Sequence, residues 1–273
     1  MVLFPNCKIN LGLHITRKRE DGYHDLETVF YPIGIKDVLE IIHSKDPNEA
    51  CSFSSSGLAI QGNSTDNLCV KAYHLLKKDF PQLPAIQMHL HKLIPMGAGL
   101  GGGSADGAFA LKLLHQLFHL GISENQLIQY ALELGSDCPF FIINQACIGK
   151  GRGELLEKIT LDLSQYQFMI VNPGIHIGTG WAFSHITPKA VSISLNAIIN
   201  QPIETWKDCL SNDFEAPVMA SYPEIAQIKQ ALYDAGAIYA SMSGSGSTLY
   251  GIFKKGFTPK VSFPSHYMTT LVD

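Results

Sequence analysis

The sequence predicts an α+β protein with two lobes, and three observations support this prediction. Apolar and polar residues alternate from Cys7 to Ile15, the period-2 pattern of a half-buried strand. Helical spacing of apolar residues follows Asn67 and Ser104. The strands and helices mix without a regular βαβ rhythm, which argues against a doubly wound parallel sheet. Because 273 residues are many for one simple domain, we expect two, at 1–160 and 161–273.

The composition is that of a folded protein. Apolar residues make up 46% of the chain, whereas a disordered chain would be poorer in Leu, Ile, Phe and Tyr. The net charge is −4 and no basic run stands out, so no nucleic-acid partner is expected. No signal peptide or membrane-spanning run is recognised. The six cysteines contain no C-x-x-C pair and are expected to be reduced. We therefore predict a cytoplasmic protein without membrane contact or an obligate protein partner.

The first strand places Lys8 and Asn10 on the same face. Residues 26–42 are then predicted to form further strands, broken at Pro32 and Gly34. The later patterns predict these elements in order: a helix at 67–78, a strand at 86–91, a helix from Ser104 to Gly121, a helix capped by Ser123 and Gln126 and stopped by Gly135, a turn at 136–139, a hairpin of 140–143 with 146–148, a strand at 168–171, helices near 193–199, 212–219 and 223–235, and two strands flanking 243–247.

The strongest signal is a Gly-rich loop between a predicted strand and a predicted helix. It consists of Pro95, Met96, Gly97, Ala98, Gly99, Leu100, Gly101, Gly102, Gly103, Ser104 and Ala105. Glycine lacks a Cβ and tolerates positive φ, so the backbone can curl around a ligand with its N–H groups turned inward. We expect Ser104 to cap the helix, whose first turn adds unpaired N–H donors and a partial positive charge. The loop therefore predicts a phosphate-binding site.

Three known phosphate loops can be compared with this pattern. A Walker loop ends in Gly-Lys-Ser/Thr, and here no lysine precedes Ser104. Gly97, Gly99 and Gly102 match G-x-G-x-x-G, but the dinucleotide version needs an acidic residue closing the next strand, whereas Glu124 starts a helix. The protein-kinase version needs H-R-D and D-F-G motifs, which the sequence lacks. A flexible turn is the remaining alternative, and the strand-loop-helix setting argues against it.

Residues 95–105 resemble the phosphate loop of the GHMP family of small-molecule kinases, Pro-x-x-x-Gly-Leu-Gly-Ser/Gly-Ser/Gly-Ser-Ala/Ser. The resemblance runs from Lys8 to about Phe253, and further segments match one member of the family in the same order: Cys7–Leu11, Asp21–His24 and Gly135–Phe140. It implies an N-terminal domain like the second domain of ribosomal protein S5, a ferredoxin-like C-terminal domain, and an active site between them.

Some positions depart from the family pattern. Cys7 stands where Ala is usual, Cys138 where Val is usual, and Gly107 where Ala is common. The cysteines should be tolerated as small buried residues. Gly107 weakens the helix but leaves its N-terminus intact. Residues 254–273 match poorly, and nothing is inferred from them.

The resemblance implies that Lys8 and Asp137 are catalytic. From the residues alone, Asp137 before Cys138-Pro139 could be only a turn residue, and Lys8 could be a solvated strand residue. Matched to the family, Asp137 accepts or orients the proton of the attacking hydroxyl. The Lys8 ammonium would stabilise a developing alkoxide and help to keep Asp137 ionised.

The resemblance also implies a small-molecule substrate that carries a cytidine diphosphate. Asn10 could hydrogen-bond the acceptor polyol. Tyr23 and His24 match the pair that contacts the cytidine end, and Phe183 falls where an aromatic ring stacks on cytosine. Stacking tolerates any base, so hydrogen bonds near His24 would select cytosine. Thr179 is a further candidate contact there.

No structural metal is predicted, only Mg²⁺ that arrives with ATP. His115 and His119 lie four residues apart on one helix without a third ligand, which favours structural or solvated histidines. His89 and His91 alternate with apolar residues as one strand face. Asp106 suits the helix dipole but would repel phosphate unless a metal intervened, so it receives no catalytic role.

The segment Ser243–Ser247 is predicted from its residues to be a hairpin loop. The resemblance places a small Gly-rich motif here, facing the active site. The two interpretations remain open at this point.

The resemblance thus implies in-line transfer of the γ-phosphoryl group of Mg-ATP to a hydroxyl of a cytidine diphosphate compound. One alternative is a GHMP kinase for homoserine, mevalonate or a sugar, which Tyr23, His24 and Phe183 argue against. The other is a catalytically silent nucleotide-binding or nucleic-acid-binding module, because S5-like domains occur in RNA-associated proteins. The presence of both Lys8 and Asp137 and the acidic balance argue against it.

Overall fold

The computed structural model of the chain describes residues 1–46, 49–188 and 193–273. Its strands are β1 (Val2–Leu3), β2 (Asn6–Lys18), β3 (His24–Lys36), β4 (Val38–His43), β5 (Cys51–Gly57), β6 (Ile86–Lys92), β7 (Cys147–Gly151), β8 (Leu155–Lys158), β9 (Tyr166–Asn172), β10 (Tyr239–Met242), β11 (Leu249–Lys254) and β12 (Met268–Val272). Its α-helices are α1 (Leu68–Asp79), α2 (Gly102–Leu117), α3 (Glu124–Leu134), α4 (Cys138–Ile143), α5 (Thr179–Ser184), α6 (Leu195–Ile199), α7 (Trp206–Cys209), α8 (Glu215–Ser221) and α9 (Pro223–Asp234). This mixture confirms the α+β class.

The chain forms two compact units that interleave along the sequence. The first unit contains Met1–Cys7, Ile35–Met96 and Gly101–Gln145, and the second contains Lys8–Gly34, Gly97–Leu100 and Ala146–Asp273. The Gly-rich loop is therefore divided, with its middle four residues in the second unit. The domain boundary near residue 160 stays a prediction.

The first unit contains a sheet with the strand order β1-β4-β6-β5. β4 runs antiparallel to β1 and β6, whereas β5 is parallel to β6. Along β6 the buried side chains alternate, as predicted, and the last of them is Lys92. Helices α1 and α2 pack on each other and contact β5 and β4 respectively.

Helix caps in the first unit agree with the sequence at α1 and α3. The Asn67 side chain accepts a hydrogen bond from the amide of Cys69 and so caps α1. Ser123 and Gln126 form the predicted capping box, and Gly135 ends α3. Each cap satisfies an N–H or C=O group that the helix itself leaves unpaired.

The predicted cap of α2 is wrong. The N-cap is Gly101, with φ 68° and ψ 17°, and Ser104 is the third residue of the helix. Only glycine adopts this left-handed conformation at little cost, so the glycine run starts the helix earlier than a search for a Ser cap indicates. The helix also ends at Leu117, before the predicted stop at Gly121.

The predicted hairpin of 140–143 with 146–148 is also wrong. Residues Cys138–Ile143 form helix α4, which has Pro139 in its first turn. β7 pairs instead with β8, with Cys147 opposite Lys158. A short apolar run fits a buried strand or a buried helix equally well, and proline suits the first helical turn.

The second unit contains two sheets, with the strand orders β2-β3-β7-β8 and β10-β11-β9-β12. β3 continues through Pro32 and Gly34, where breaks were predicted, and ends before Asp37. Its pairing with β7 stops at Phe30, so the missing N–H of Pro32 removes no hydrogen bond from that ladder. Among residues 254–273, from which nothing was inferred, Met268–Val272 form β12 beside β9.

The core of the second unit joins β2, the β9-β11 sheet and helices α8 and α9. Leu13 and Ile15 of β2 belong to one buried cluster with Val171, Ile225 and Phe253. This packing confirms the predicted strand at 168–171 and the helices near 212–219 and 223–235, which the structure places within a few residues.

Within residues 1–46, 49–188 and 193–273, no helix combines the length and the apolar character needed to cross a bilayer.

Candidate active site

Lys8 is held in a buried hydrogen-bond cluster of the second unit. Strand β2 places Lys8 and Asn10 on one face, as predicted, and Lys8 Nζ lies 2.6 Å from Asn10 Oδ1. Nζ also donates to the carbonyl oxygen of Gly99 over 3.2 Å and lies 5.2 Å from the centre of the Phe30 ring. Only 4% of Lys8 is exposed, so it is not a solvated strand residue. A buried ammonium against the Gly-rich loop is suited to stabilising negative charge.

Asn10 is oriented through both atoms of its amide group. Its Nδ2 donates to Thr28 Oγ1 over 2.9 Å, and Thr28 in turn donates to the carbonyl oxygen of Gly12 over 2.6 Å. Its Oδ1 accepts from Lys8 and lies 3.4 Å from Ser243 Oγ. Asn10 therefore orients Lys8, and its contact with an acceptor polyol stays a prediction.

The part of the Gly-rich loop in the second unit packs closely on the Ser243–Ser247 segment. Gly99 has φ +79°, and a Cβ at this position would lie 2.0 Å from the carbonyl oxygen of Ser243. Ser243 Oγ donates to the carbonyl oxygen of Gly99 over 2.7 Å, and the Thr248 amide donates to that of Ala98 over 3.2 Å. The segment is thus a support for the loop, which its sequence pattern alone did not reveal.

In the first unit, the rest of the loop begins helix α2. A Cβ on Gly102 would lie 2.7 Å from Ile94 Cγ2 and 3.1 Å from Lys92 Nζ, and a Cβ on Gly103 would lie 3.1 Å from Met96 Cε. The absence of side chains lets this first turn pack directly on the end of β6. Its N–H groups carry the partial positive charge that attracts phosphate oxygens.

Lys92, Asp37 and Asp106 form a buried charge cluster beside that turn. Lys92 Nζ lies 2.5 Å from Asp37 Oδ2 and 2.6 Å from Asp106 Oδ2. Burial alone lowers the pKa of Lys92, but the two carboxylates raise it by more, so the ammonium is charged. Burial raises the pKa of Asp106 above its ordinary value; Lys92 opposes this rise, and the negative charge of Asp37 adds to it. Asp106 therefore belongs to an ion-pair cluster, which the sequence did not reveal.

A cavity of ≈ 300 Å³ opens beside this cluster in the first unit. Its lining includes Asn63, Asn67, Met96, Gly103 and Asp106. Within the described ranges, Asp106 Oδ1 is buried without a hydrogen-bond partner. The cavity borders the Gly-rich loop at Met96 and Gly103 and has the size of a small-ligand site. No sequence motif marks it, since its wall is largely an irregular segment before α1.

Asp137 is the N-cap residue of α4 in the first unit. In the part of the chain that the structure describes, its side chain does not cap the helix, so capping does not account for an aspartate here. Burial raises the pKa of the next residue, Cys138, to about 12. A hydrogen bond with Ser104 opposes this rise, and the negative charge of Asp137 adds to it. Cys138, the first residue of α4, is thus a neutral thiol that contacts Ser104 of α2. It offers no nucleophile.

His24 and Phe183 stack on each other in the second unit. Their ring centres are 5.0 Å apart and their planes differ by 18°. Phe214 meets Phe183 edge to face, with ring centres 4.9 Å apart. Burial, and to a smaller extent a nearby lysine, lowers the pKa of His24, so its imidazole is neutral at pH 7. Tyr23, 56% exposed, carries the guanidinium of Arg152 over its ring at 5.2 Å.

Thr179 is the first residue of α5 and precedes Phe183 by four residues, which places the two on one face of the helix.

The structure gathers Lys8 and Asn10 with Gly99 in the second unit, which also contains the predicted cytidine contacts. It places Asp137 in the first unit, with the start of α2.

Two family models match the chain. The model of the GHMP kinases N terminal domain matches residues 67–145, and that of the GHMP kinases C terminal domain matches residues 194–260. Together they cover more than half of the chain. The chain belongs to the GHMP kinases, a family of ATP-dependent small-molecule kinases. This confirms the predicted fold and the predicted class of enzyme, an ATP-dependent small-molecule kinase.

Curated relatives point to one member of the family. A 4-diphosphocytidyl-2-C-methyl-D-erythritol kinase from Bacteroides fragilis is 51% identical over 253 residues, which are 93% of this chain and 92% of that protein. The enzyme of the same name from Bacteroides thetaiotaomicron is 50% identical over 264 residues, 96% of each chain. A crystal structure of 4-(cytidine 5'-diphospho)-2C-methyl-D-erythritol kinase is 29% identical with a TM-score of 0.80, covering 92% of this chain and 89% of that one.

A more distant structure shows the fold alone. Homoserine kinase from Cytophaga hutchinsonii is 16% identical with a TM-score of 0.67, covering 92% of this chain and 86% of that one.

Proposed function

We propose that this protein transfers the γ-phosphoryl group of ATP to a hydroxyl of 4-diphosphocytidyl-2-C-methyl-D-erythritol, in the non-mevalonate route to isoprenoid precursors. The observation that carries the proposal is the agreement of relatives that are 50–51% identical over more than nine-tenths of the chain. The stacked rings of His24 and Phe183 add support, since they offer an aromatic surface to a base. Homoserine and mevalonate contain no base that would use it.

The triphosphate binds at the Gly-rich loop. The first-turn N–H groups of α2 donate to phosphate oxygens, and the partial positive charge of the helix start adds to the attraction. The nucleoside occupies the ≈ 300 Å³ cavity that borders Met96 and Gly103. Asp106 Oδ1 is the buried polar atom at this cavity that a nucleoside can pair.

Mg²⁺ accompanies ATP in this proposal. The ion prefers oxygen ligands and is commonly held by substrate phosphates with one or two protein oxygens. The Ser104 hydroxyl, in the first unit, is a donor of this type. When bound, Mg²⁺ neutralises charge on the transferred group.

Asp137 and Lys8 serve the acceptor hydroxyl. Asp137 accepts its proton, the acceptor oxygen forms the new bond to the γ-phosphorus, and the bond from that phosphorus to ADP breaks. Lys8 stabilises the negative charge that develops on the acceptor oxygen. Asn10 and the carbonyl oxygen of Gly99 hold the ammonium for this role.

The cytidine end binds through Phe183, His24 and Tyr23, with Thr179 as a further contact. Phe183 stacks on cytosine. The neutral His24 imidazole can donate one hydrogen bond and accept another at the base edge. That pairing selects cytosine over other bases, because stacking alone does not.

We further propose a cytoplasmic enzyme with a domain boundary near residue 160 and no obligate protein partner. The six cysteines are free thiols, as expected in a reducing compartment. The two family models lie on either side of residue 160. Full activity of the purified chain by itself supports the absence of a partner, and a requirement for a second protein contradicts it.

The test of the function is a panel of acceptors. Initial rates of ADP formation are measured with 4-diphosphocytidyl-2-C-methyl-D-erythritol, homoserine, mevalonate, a hexose and no acceptor. ADP is expected to form with the cytidine compound alone. Comparable turnover of homoserine or mevalonate, or ADP formation that ignores the acceptor, would contradict the proposal.

A further inference from the structure

Asp37 is a fully buried carboxylate between β3 and β4. Its Oδ1 accepts hydrogen bonds from the amides of Leu93, over 2.6 Å, and Ile94, over 2.8 Å. Its Oδ2 accepts from Lys92 Nζ over 2.5 Å. Its own amide donates to the carbonyl oxygen of Pro5 over 2.8 Å. One carboxylate therefore holds three consecutive residues at the end of β6, just before the Gly-rich loop.

Two of those three residues also meet the first residue of α2. A Cβ on Gly102 would lie 2.7 Å from Ile94 Cγ2 and 3.1 Å from Lys92 Nζ. Lys92 continues to Asp106, four residues further along the helix, over 2.6 Å. Asp37 thus reaches the start of α2 by two routes. One is Ile94, whose amide binds Asp37 and whose side chain meets Gly102, and the other is the ammonium of Lys92.

Both routes are stiff. A hydrogen bond to a carboxylate is shorter and stronger than one between neutral groups, and burial strengthens it further. Asp37, Lys92 and Gly102 are all buried, so water does not compete for these contacts. Without a Cβ on Gly102, the helix can rest directly on Ile94 and Lys92.

We propose that Asp37 is a positioning residue for the nucleotide: it fixes the first turn of α2 on the end of β6, so that the N–H groups of Gly102 and Gly103 are aimed at the phosphates. The proposal rests on the proposed function, because it assigns those N–H groups to ATP. Asp37 touches no phosphate and acts through Ile94 and Lys92. Nucleotide affinity should therefore depend on Asp37 more strongly than the chemical step does.

Asp37→Asn tests this role. Asparagine keeps the shape of the side chain, but its single oxygen cannot accept hydrogen bonds both from the two amides and from Lys92. We expect the KM for ATP to rise about tenfold or more, because a small displacement of positioned donors is costly. We expect kcat and the KM for the cytidine acceptor to change less than about twofold, since the groups that serve the acceptor are untouched.

The control is Ser123→Ala, which removes the cap of α3 in the same unit. This variant should lower the Tm and leave the KM for ATP unchanged. A folded Asp37→Asn variant with the wild-type KM for ATP would overturn the proposal, as would equal effects on both substrates. Failure of the wild-type protein to use ATP with the cytidine acceptor would instead contradict the proposed function.

Amide hydrogen exchange of the wild-type protein provides the test if Asp37→Asn does not fold. We expect ATP to slow exchange at Leu93 and Ile94 together with Gly102 and Gly103, because one carboxylate couples these amides. Protection of Gly102 and Gly103 alone, with Leu93 and Ile94 unchanged, would overturn the proposal.

Discussion

Ser243 Oγ donates a 2.7 Å hydrogen bond to the carbonyl oxygen of Gly99, across 144 residues of sequence. The same carbonyl oxygen accepts from Lys8 Nζ over 3.2 Å. The carbonyl oxygen of Gly99 therefore binds both the Ser243 side chain, which supports the Gly-rich loop, and the proposed catalytic ammonium. Two glycine-containing segments that look unrelated in the sequence form one support.

Gly99→Ala should weaken ATP binding by about 30-fold or more, since the forced positive φ and the methyl overlap together cost about 2 kcal/mol. The methyl group would lie 2.0 Å from the carbonyl oxygen of Ser243 at a position with φ +79°. Calorimetric titration with ATP measures the effect. Gly34→Ala is the control, because the nearest atom to its Cβ would be 4.0 Å away. An unchanged Kd in Gly99→Ala would show that the loop does not hold the nucleotide.

Lys8→Met should lower kcat by about 100-fold or more, because it removes a preorganised charge from the acceptor oxygen. Methionine retains most of the apolar stem, so packing against Phe30 is kept. Steady-state kinetics with saturating ATP and acceptor measure the loss. Lys207→Met, at an exposed position of α7, is the control. A kcat within about twofold of wild type would exclude this role for Lys8.

Asp137→Asn should lower kcat by about 10²- to 10⁴-fold, the range expected for loss of a general base. The Kd for ATP should not change, since the Asp137 carboxylate is replaced by an amide of the same shape. Single-turnover rates and ATP titrations separate the two effects. Asp208→Asn, at an exposed site on α7, is the matched control. Normal turnover by Asp137→Asn would mean that the proton goes elsewhere.

Phe183→Ala should raise the KM for the cytidine acceptor by about 5- to 150-fold, because stacking of a base on an aromatic ring contributes about 1–3 kcal/mol. The KM for ATP should stay constant. Initial rates at varied concentrations of each substrate measure both. Phe257→Ala removes another partly exposed ring, 44% exposed and stacked on Phe253, and serves as the control. Equal changes in both KM values would argue against a specific contact with cytosine.

Acceptor affinity should depend on pH through His24. Burial lowers the pKa of His24 below its ordinary value of 6.5, so the imidazole is neutral above that pH and can accept a hydrogen bond from cytosine. Affinity should be constant at higher pH and fall as the pH decreases through the pKa, because protonation removes the acceptor nitrogen. Titrations with the cytidine acceptor from about pH 8 to about pH 5.5 measure this, with His24→Gln as the control. A wild-type profile identical to that of His24→Gln would contradict the role.

The sequence predicts contacts that follow from local periodicity. Alternation along β2 is enough to place Lys8 and Asn10 on one face, where their side chains meet at 2.6 Å. The capping box of Ser123 and Gln126 also depends on neighbouring residues only. Such features need no knowledge of how distant segments pack.

Other parts of the site depend on contacts between distant segments. The carboxylate of Asp37 and the ammonium of Lys92 are 55 residues apart, and no local pattern predicts their 2.5 Å contact. Lys92 continues the buried face of β6, a position where a lysine is expected only with a buried counter-charge. Likewise, Gly101 rather than Ser104 caps α2 because its φ of 68° comes from the folded loop. Side-chain propensity alone selects the serine.

The most direct test of the central claim is a ³¹P NMR time course of the purified protein with ATP, Mg²⁺ and 4-diphosphocytidyl-2-C-methyl-D-erythritol. We expect ADP and one new phosphomonoester signal to grow in equal amounts, while the diphosphate of the cytidine compound stays intact. Release of inorganic phosphate in place of the phosphomonoester, or ADP formation at the same rate without the acceptor, would contradict the assignment.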